Sequence, residues 1–186
     1  MRPPVVLPEA PRGFAQADGS WESLLGTVFH GAAELWGMRG PRPSPTALER
    51  LVHAHLDVPR GFDVRWIDDA LAALEASTLG KEMASAAERG ELFHEIPFEV
   101  PLPAREGRGN GEPRFVSGRI DALFRDETGA WVVVDYKLTQ SDAEAAMKKY
   151  AGQLALYREA LEAAGLGPVK RLGLWLARSG EGVWSV

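Results

Sequence analysis

Apolar residues recur at helical spacing through the first half of the chain, between polar and charged positions. Ser20 is placed to cap a first helix over about 21–37, and Gly40-Pro41 follows its end. Three shorter helices are predicted after this break, at about 46–56, 67–76 and 80–89. The stripe that predicts the first helix consists of Leu24, Leu25, Val28, Ala32 and Leu35.

The pattern changes from helical to extended after residue 90. Apolar segments rich in β-branched and aromatic residues predict strands at 92–100, 114–124 and 130–137. A glycine-rich stretch at 107–111 and a turn at Asp126–Gly129 separate them. Because Pro97 cannot donate a hydrogen bond to a neighbouring strand, the first strand should lie at a sheet edge, or Pro97 near its beginning.

A long helix and another strand complete the predicted order. The helix covers about 141–163 and ends at Gly165 and Gly167-Pro168. The strand covers about 170–177, and a turn at Ser179–Gly182 leads into a short apolar end. Helices, a three-strand meander, a helix and a strand together predict an α/β core with a helical extension at its N-terminus.

The length of 186 residues fits one compact domain with a sizeable core. We divide it into a proline- and glycine-rich linker or arm at 1–19, a helical part at 20–90 and a core at 91–186. No apolar run approaches eighteen residues, and prolines rather than an apolar segment follow Arg2. We therefore expect a cytoplasmic protein without membrane contact.

The chain contains no cysteine. This excludes disulfides, thiolate chemistry, thiol-based zinc sites and iron–sulfur clusters. A metal would be held by carboxylate, carbonyl and imidazole groups, which favours Mg²⁺ or Mn²⁺.

The net charge of −5 argues against a nucleic-acid partner, but its distribution weakens that objection. Residues 105–149 contain eight basic and eight acidic residues. The excess of acids lies on the predicted helices, where it is typical of a solvated surface.

Two carboxylates and a lysine carry the strongest chemical signal. Asp135 and Lys137 end the strand WVVVDYK, and residues two apart on a strand share a face. Asp121, which ends the preceding segment, could bring a second carboxylate to the same metal ion. The alternative is a hairpin that carries one solvated ion pair.

Several other residues indicate a functional site only when they are considered together. His30 lies on the first helix, where a lone histidine is more often structural, and Glu95 lies on the first strand. Tyr150, Gln153 and Tyr157 share one face of the long helix, which alone would be an ordinary packing surface.

These residues together resemble the RecB-type nuclease branch of the PD-(D/E)XK superfamily. Five motifs of that branch occur in the same order and span most of the chain. They are G-x-x-x-H at Gly26–His30, E-x-P-F at Glu95–Phe98, G-x-x-D at Gly118–Asp121, D-Y-K at Asp135–Lys137 and Q-x-x-x-Y at Gln153–Tyr157.

The resemblance implies a restriction-endonuclease-like core with a central mixed sheet flanked by helices. It also implies Mg²⁺ or Mn²⁺ ligation by His30, Asp121, Asp135 and the backbone carbonyl of Tyr136. A bound divalent ion lowers the pKa of its water far below the ~15.7 of bulk water, as phosphodiester hydrolysis requires.

Further roles follow from the same resemblance. Lys137 would orient the attacking water or stabilise negative charge on the phosphate. Glu95 joins Asp121, Asp135 and Lys137 as a catalytic residue, in an outer-shell or second-metal role. Gln153 and Tyr157 would position the DNA backbone or the catalytic loop.

The chain is most similar to the C-terminal nuclease domains of AddA/RecB-like helicase–nucleases, which process double-strand breaks. It lacks a G-x-x-x-x-G-K-[ST] phosphate loop, so we expect no ATP site and a helicase motor elsewhere in the parent polypeptide or complex. The expected partner is DNA with single-stranded ends. Two alternatives remain: a stand-alone restriction-like or phage-type exonuclease, and a catalytically silent module that binds DNA ends.

Overall fold

A computed structural model describes residues 3–11, 20–102 and 114–185, without the side chains of residues 102 and 114. Most of the predicted arm at 1–19 and all of the glycine-rich stretch at 107–111 lie outside these ranges. Among the described helices, none is long and apolar enough to cross a membrane.

Four helices form the first half of the chain, as the hydrophobic pattern predicted. Ser20 caps the first one through a hydrogen bond that its side chain accepts from the backbone N–H of Ser23. Gly37 ends that helix in the left-handed conformation, which glycine adopts without steric cost. The helices are α1 (Trp21–Trp36), α2 (Pro45–His55), α3 (Arg65–Ala76) and α4 (Thr78–Glu88).

The second half forms a mixed sheet, which confirms the predicted fold class. Five strands follow one another across the sheet in chain order, and all neighbours are antiparallel except β3 and β4. The parallel pair requires a crossover, which α5 supplies. The elements are β1 (Leu92–Leu102), β2 (Arg114–Arg125), β3 (Trp131–Lys137), α5 (Ala143–Ala163), β4 (Val169–Leu176) and β5 (Glu181–Trp184).

Two details of the sheet bear on the sequence predictions. Pro97 lies on β1, which is an edge strand, as expected for a residue without a backbone N–H. The short strand β5 was predicted only as an apolar end, because four residues give too little periodicity to identify a strand.

Alternating residues of β3 face two separate cores. Val132, Val134 and Tyr136 pack against the layer of helices α1–α4. On the opposite face, Trp131 and Val133 pack against α5. The end of β3 therefore lies between α1 on one side of the sheet and α5 on the other. The division of the chain near residue 90 stays a prediction.

Candidate active site

Asp135 and Lys137 lie together at the end of β3, as their spacing predicted. The Lys137 ammonium is 2.6 Å from Oδ2 of Asp135, whose residue is only 1% exposed. The other oxygen, Oδ1, accepts a hydrogen bond of 2.8 Å from the hydroxyl of Tyr157. Both oxygens of this buried carboxylate therefore have a partner, which offsets the cost of its burial.

Tyr157 and Gln153 reach the carboxylate from α5. Gln153 Nε2 donates to the Tyr157 hydroxyl at 2.6 Å, and Tyr157 is 2% exposed. Burial, followed by the nearby charge of Asp135, raises the pKa of the Tyr157 phenol above its ordinary value, so the hydroxyl stays protonated and donates. The buried position of Tyr157 favours support of Asp135 over direct contact with DNA.

His30 reaches the same region from α1. Its Nε2 lies 2.9 Å from the backbone carbonyl oxygen of Tyr136, and its Nδ1 lies 3.5 Å from Oδ1 of Asp121. A carbonyl oxygen can only accept, so Nε2 carries the hydrogen. In the neutral imidazole the lone pair then lies on Nδ1 and faces the carboxylate, where a cation could bind both.

Asp121 is the second buried carboxylate of the site, with 7% of its surface exposed. Its Oδ2 accepts a hydrogen bond of 2.7 Å from the backbone N–H of Tyr136, which links β2 to β3. Burial, together with the negative charge of Asp135, raises the pKa of the Asp121 carboxyl to about 6, against attraction from His30. A nearby cation would reverse this effect by favouring the charged form.

Glu95 faces Asp121 across an irregularity between β1 and β2. The strand pairing runs through His94–Ala122 and resumes at Ile96–Ile120, but Glu95 and Asp121 are not paired themselves. Glu95 has a φ of 54°, in the left-handed region that residues other than glycine rarely adopt. Such backbone strain persists where the surroundings impose it and is frequent at functional sites.

Three of these side chains could hold one metal ion. His30, Glu95 and Asp121 each place a ligand atom within 4.8 Å of the other two. One imidazole and two carboxylates suit a hard or borderline divalent cation. Glu95 also lies 3.3 Å from the guanidinium of Arg119, whose side chain is 62% exposed, so this solvated cation would compete only weakly with a bound ion.

The predicted ligands Asp135 and Tyr136 border this group without belonging to it. Lys137 and Tyr157 occupy the Asp135 oxygens, and the Tyr136 carbonyl oxygen accepts from His30. A carbonyl oxygen has a second lone pair, so this contact does not exclude ligation. The ligand set and the catalytic roles stay predictions.

Two aromatic residues named from the sequence, Phe98 and Tyr150, support the site through contacts that the sequence did not predict. The ring of Phe98 covers Gly118, where an added Cβ would lie 2.6 Å from a ring carbon, and packs edge-on against Tyr157 at 5.6 Å. The ring of Tyr150 lies 4.5 Å from the Lys137 ammonium. Gly118 and Phe98 are paired on neighbouring strands. This pairing could have been predicted only if the strand register were known.

Comparison with known proteins identifies related sequences. The family model of the PD-(D/E)XK nuclease superfamily matches residues 8–185, nearly the whole chain. This match confirms the resemblance found in the five motifs.

Similar proteins include ATP-dependent helicase/nuclease subunits A from three bacteria. The identity is 33% over 121 residues for Geobacillus thermodenitrificans, 30% over 172 residues for Geobacillus kaustophilus and 39% over 128 residues for Desulforudis audaxviator. These alignments cover 57%, 73% and 64% of this chain. They cover only 9%, 13% and 10% of those relatives, so the chain corresponds to a small part of their length.

Proposed function

Since this chain belongs to the PD-(D/E)XK nuclease superfamily, we propose that it is a deoxyribonuclease that depends on Mg²⁺ or Mn²⁺. The convergence of His30, Glu95 and Asp121 within 4.8 Å, beside the Asp135–Lys137 pair, carries this proposal. The site combines candidate ligands for a cation with a lysine ammonium, which phosphodiester hydrolysis can use.

His30 and Asp121 would hold the cation through Nδ1 and Oδ1, with Glu95, Asp135 or the Tyr136 carbonyl completing its ligands. A bound divalent cation would lower the pKa of a coordinated water molecule and offset charge on the phosphate. The hydrogen bond between His30 Nε2 and the Tyr136 carbonyl would keep the Nδ1 lone pair directed at the ligand position.

Lys137 would act on the reacting phosphate. Hydrolysis needs the oxygen of water to attack phosphorus while an ester oxygen leaves, so negative charge develops on the phosphate oxygens. The Lys137 ammonium can orient the attacking water or stabilise that charge, and Asp135 at 2.6 Å keeps the ammonium at the site. Tyr157 and Gln153 would fix Asp135 in turn.

The relatives suggest a biological context. They are helicase/nuclease subunits, and we propose that this chain is the nuclease part of a comparable helicase–nuclease in DNA repair. Its substrate would then be DNA with single-stranded ends supplied by a motor. The sequence contains no phosphate loop and has no strongly basic overall charge. This agrees with a motor that supplies most of the affinity for DNA.

The direct test is cleavage of labelled single-stranded and duplex DNA without ATP, in Mg²⁺ or Mn²⁺ and in excess EDTA. We expect metal-dependent cleavage that EDTA abolishes. Lys137→Ala should lose orders of magnitude in rate while it remains folded at the assay temperature, although loss of the partner of buried Asp135 should lower its melting temperature. Lys148→Ala, an exposed lysine on α5, is the control and should cleave as the wild type does. Cleavage of equal rate in EDTA would overturn the proposal.

A further inference from the structure

A groove of about 420 Å³ leads away from the proposed catalytic cluster between α1 and α5. Its volume lies within the range of ~300–1,000 Å³ typical of ligand clefts, and its walls are mainly polar. Because His30 and Lys137 belong both to the cluster and to the groove wall, a strand bound at the cluster would also occupy the groove. Side chains in this α1–α5 groove include Ser23, Thr27, His30, Lys137, Lys149 and Tyr150.

Among the described residues, none is a counterion for Lys149 at this groove. Within the described part of the chain, Lys149 forms neither an ion pair nor a hydrogen bond, and its recorded contact is with an aromatic ring. Its ammonium lies 5.0 Å from the centroid of the Tyr150 ring. Since Lys149 also lines the groove, this contact favours a position of its ammonium at the groove wall.

The same ring contacts the lysine of the catalytic cluster. Lys137 lies 4.5 Å from the Tyr150 centroid, so the two ammonium groups are at most about 9.5 Å apart. Asp135 compensates the charge of Lys137, whereas no acidic side chain in the described ranges pairs with Lys149. A polyanion that spans both positions would supply Lys149 with a counterion.

The other charged side chains that line the groove are compatible with binding of such an anion. Glu22 is the acidic residue of the groove wall, and Arg178 at 3.9 Å and Gln140 at 3.3 Å hold its carboxylate. The exposed hydroxyls of Ser23 and Thr27 on α1 supply neutral hydrogen-bonding groups opposite Lys149. Hydroxyls and ammonium groups are common partners of phosphate oxygens and carry no base specificity.

We propose that the α1–α5 groove binds the phosphodiester backbone of the substrate strand next to the bond that is cleaved, with Lys149 as its principal cation and Tyr150 as the residue that positions it. This inference rests on the proposed nuclease function and adds the path of the strand. Lys137 then faces the reacting phosphate, and Lys149 a phosphate close to it on the same strand. Recognition is independent of base sequence.

Lys148 and Lys149 provide a matched test, since both are exposed lysines on α5 but only Lys149 belongs to the groove. Binding of a fluorescent single-stranded oligonucleotide is measured by anisotropy in EDTA over a range of salt concentrations. We expect Lys149→Ala to weaken binding roughly 3–10-fold at low salt. The slope of log K against log salt should fall by about 0.7, the value for one phosphate contact on a single strand. Lys148→Ala should keep the wild-type slope.

Tyr150 supplies a second pair of variants. Tyr150→Phe keeps the ring and should keep the salt slope, whereas Tyr150→Leu should reduce it as Lys149→Ala does, because the ammonium is no longer held. A structural role of the tyrosine alone would lower the melting temperature without changing the slope.

The outcomes separate this inference from the proposed function. If the wild type cleaves DNA with metal but Lys149→Ala and Lys148→Ala bind alike, the groove assignment is wrong and the nuclease assignment stands. If the wild type cleaves nothing in any metal while Lys149→Ala still loses one phosphate contact, the groove stands and the nuclease assignment is wrong.

Discussion

The hydroxyl of Tyr157 on α5 donates a hydrogen bond of 2.8 Å to Oδ1 of Asp135 at the end of β3. Both residues are almost fully buried, and the bond joins the long helix to the strand that carries the lysine of the site. The Q-x-x-x-Y motif therefore supports the D-Y-K motif through a direct hydrogen bond, which gives the tyrosine a structural reason to accompany it.

Tyr157→Phe removes this bond and keeps the aromatic packing. We expect kcat to fall about 10-fold with little change in KM for DNA, because Asp135 loses orientation while the DNA surface is untouched. Stability should fall by about 1–3 kcal/mol, since a buried carboxylate oxygen loses its donor. Steady-state kinetics and urea unfolding measure both effects. A rise in KM at unchanged kcat would instead place Tyr157 in contact with DNA.

Asp121 makes the stability of the protein depend on pH. Its folded pKa of about 6 lies above the ordinary 3.8, so the folded state binds a proton more tightly than the unfolded state. The charged carboxylate therefore destabilises the fold above pH 6, and this penalty disappears as the pH falls toward 4.

Asp121→Asn should remove that dependence while retaining an acceptor for the Tyr136 N–H. In EDTA at pH 8 we expect the variant to be more stable than the wild type by on the order of 2–3 kcal/mol. The advantage should shrink through pH 6 and approach zero near pH 4, as measured by urea unfolding at several pH values. An advantage that grows toward low pH would contradict the raised pKa.

His30 should couple metal binding to stability. An ion that binds only the folded state stabilises it by about 2.7 kcal/mol at about 100 times its Kd. We expect Mn²⁺ to raise the melting temperature of the wild type and to have little effect on His30→Ala. His53→Ala changes an exposed histidine on α2 and should retain the full shift. Equal shifts in both variants would place the ion elsewhere.

Gly118 should be required for its small size rather than for backbone freedom. A Cβ at this position would lie 2.6 Å from the ring of Phe98, so Gly118→Ala should displace the ring from Tyr157 and cost about 1–3 kcal/mol. Gly152→Ala on α5 is the opposite control, since nothing lies within 4 Å of its added Cβ and alanine favours helices by about 1 kcal/mol. Thermal unfolding should show changes of opposite sign.

The sequence predicted those features of the fold that depend on local patterns. The cap at Ser20, the common face of Asp135 and Lys137 and the edge position of Pro97 all follow from local periodicity or backbone chemistry. The strand β5 could not be predicted in this way, because it is defined by its pairing with β4 rather than by a pattern in its own four residues.

The candidate site was predictable as a set of residues but not as a set of contacts. Motif order brought His30, Glu95 and Asp121 into consideration together. Their separation, the left-handed backbone of Glu95 and the bonds that occupy Asp135 depend on strand register and on helix docking across the sheet. Such long-range geometry leaves no periodic signal in a single sequence.

The contact between His30 and the Tyr136 carbonyl joins residues that are 106 positions apart. The imidazole arrives only when α1 has packed onto the sheet, whereas the acidic residues come from the sheet itself. A chain whose helical layer detaches by local unfolding therefore retains the carboxylates without their histidine. Docking of α1 onto the sheet thus decides whether the imidazole and the carboxylates lie together, so the integrity of that interface is a condition for the complete cluster.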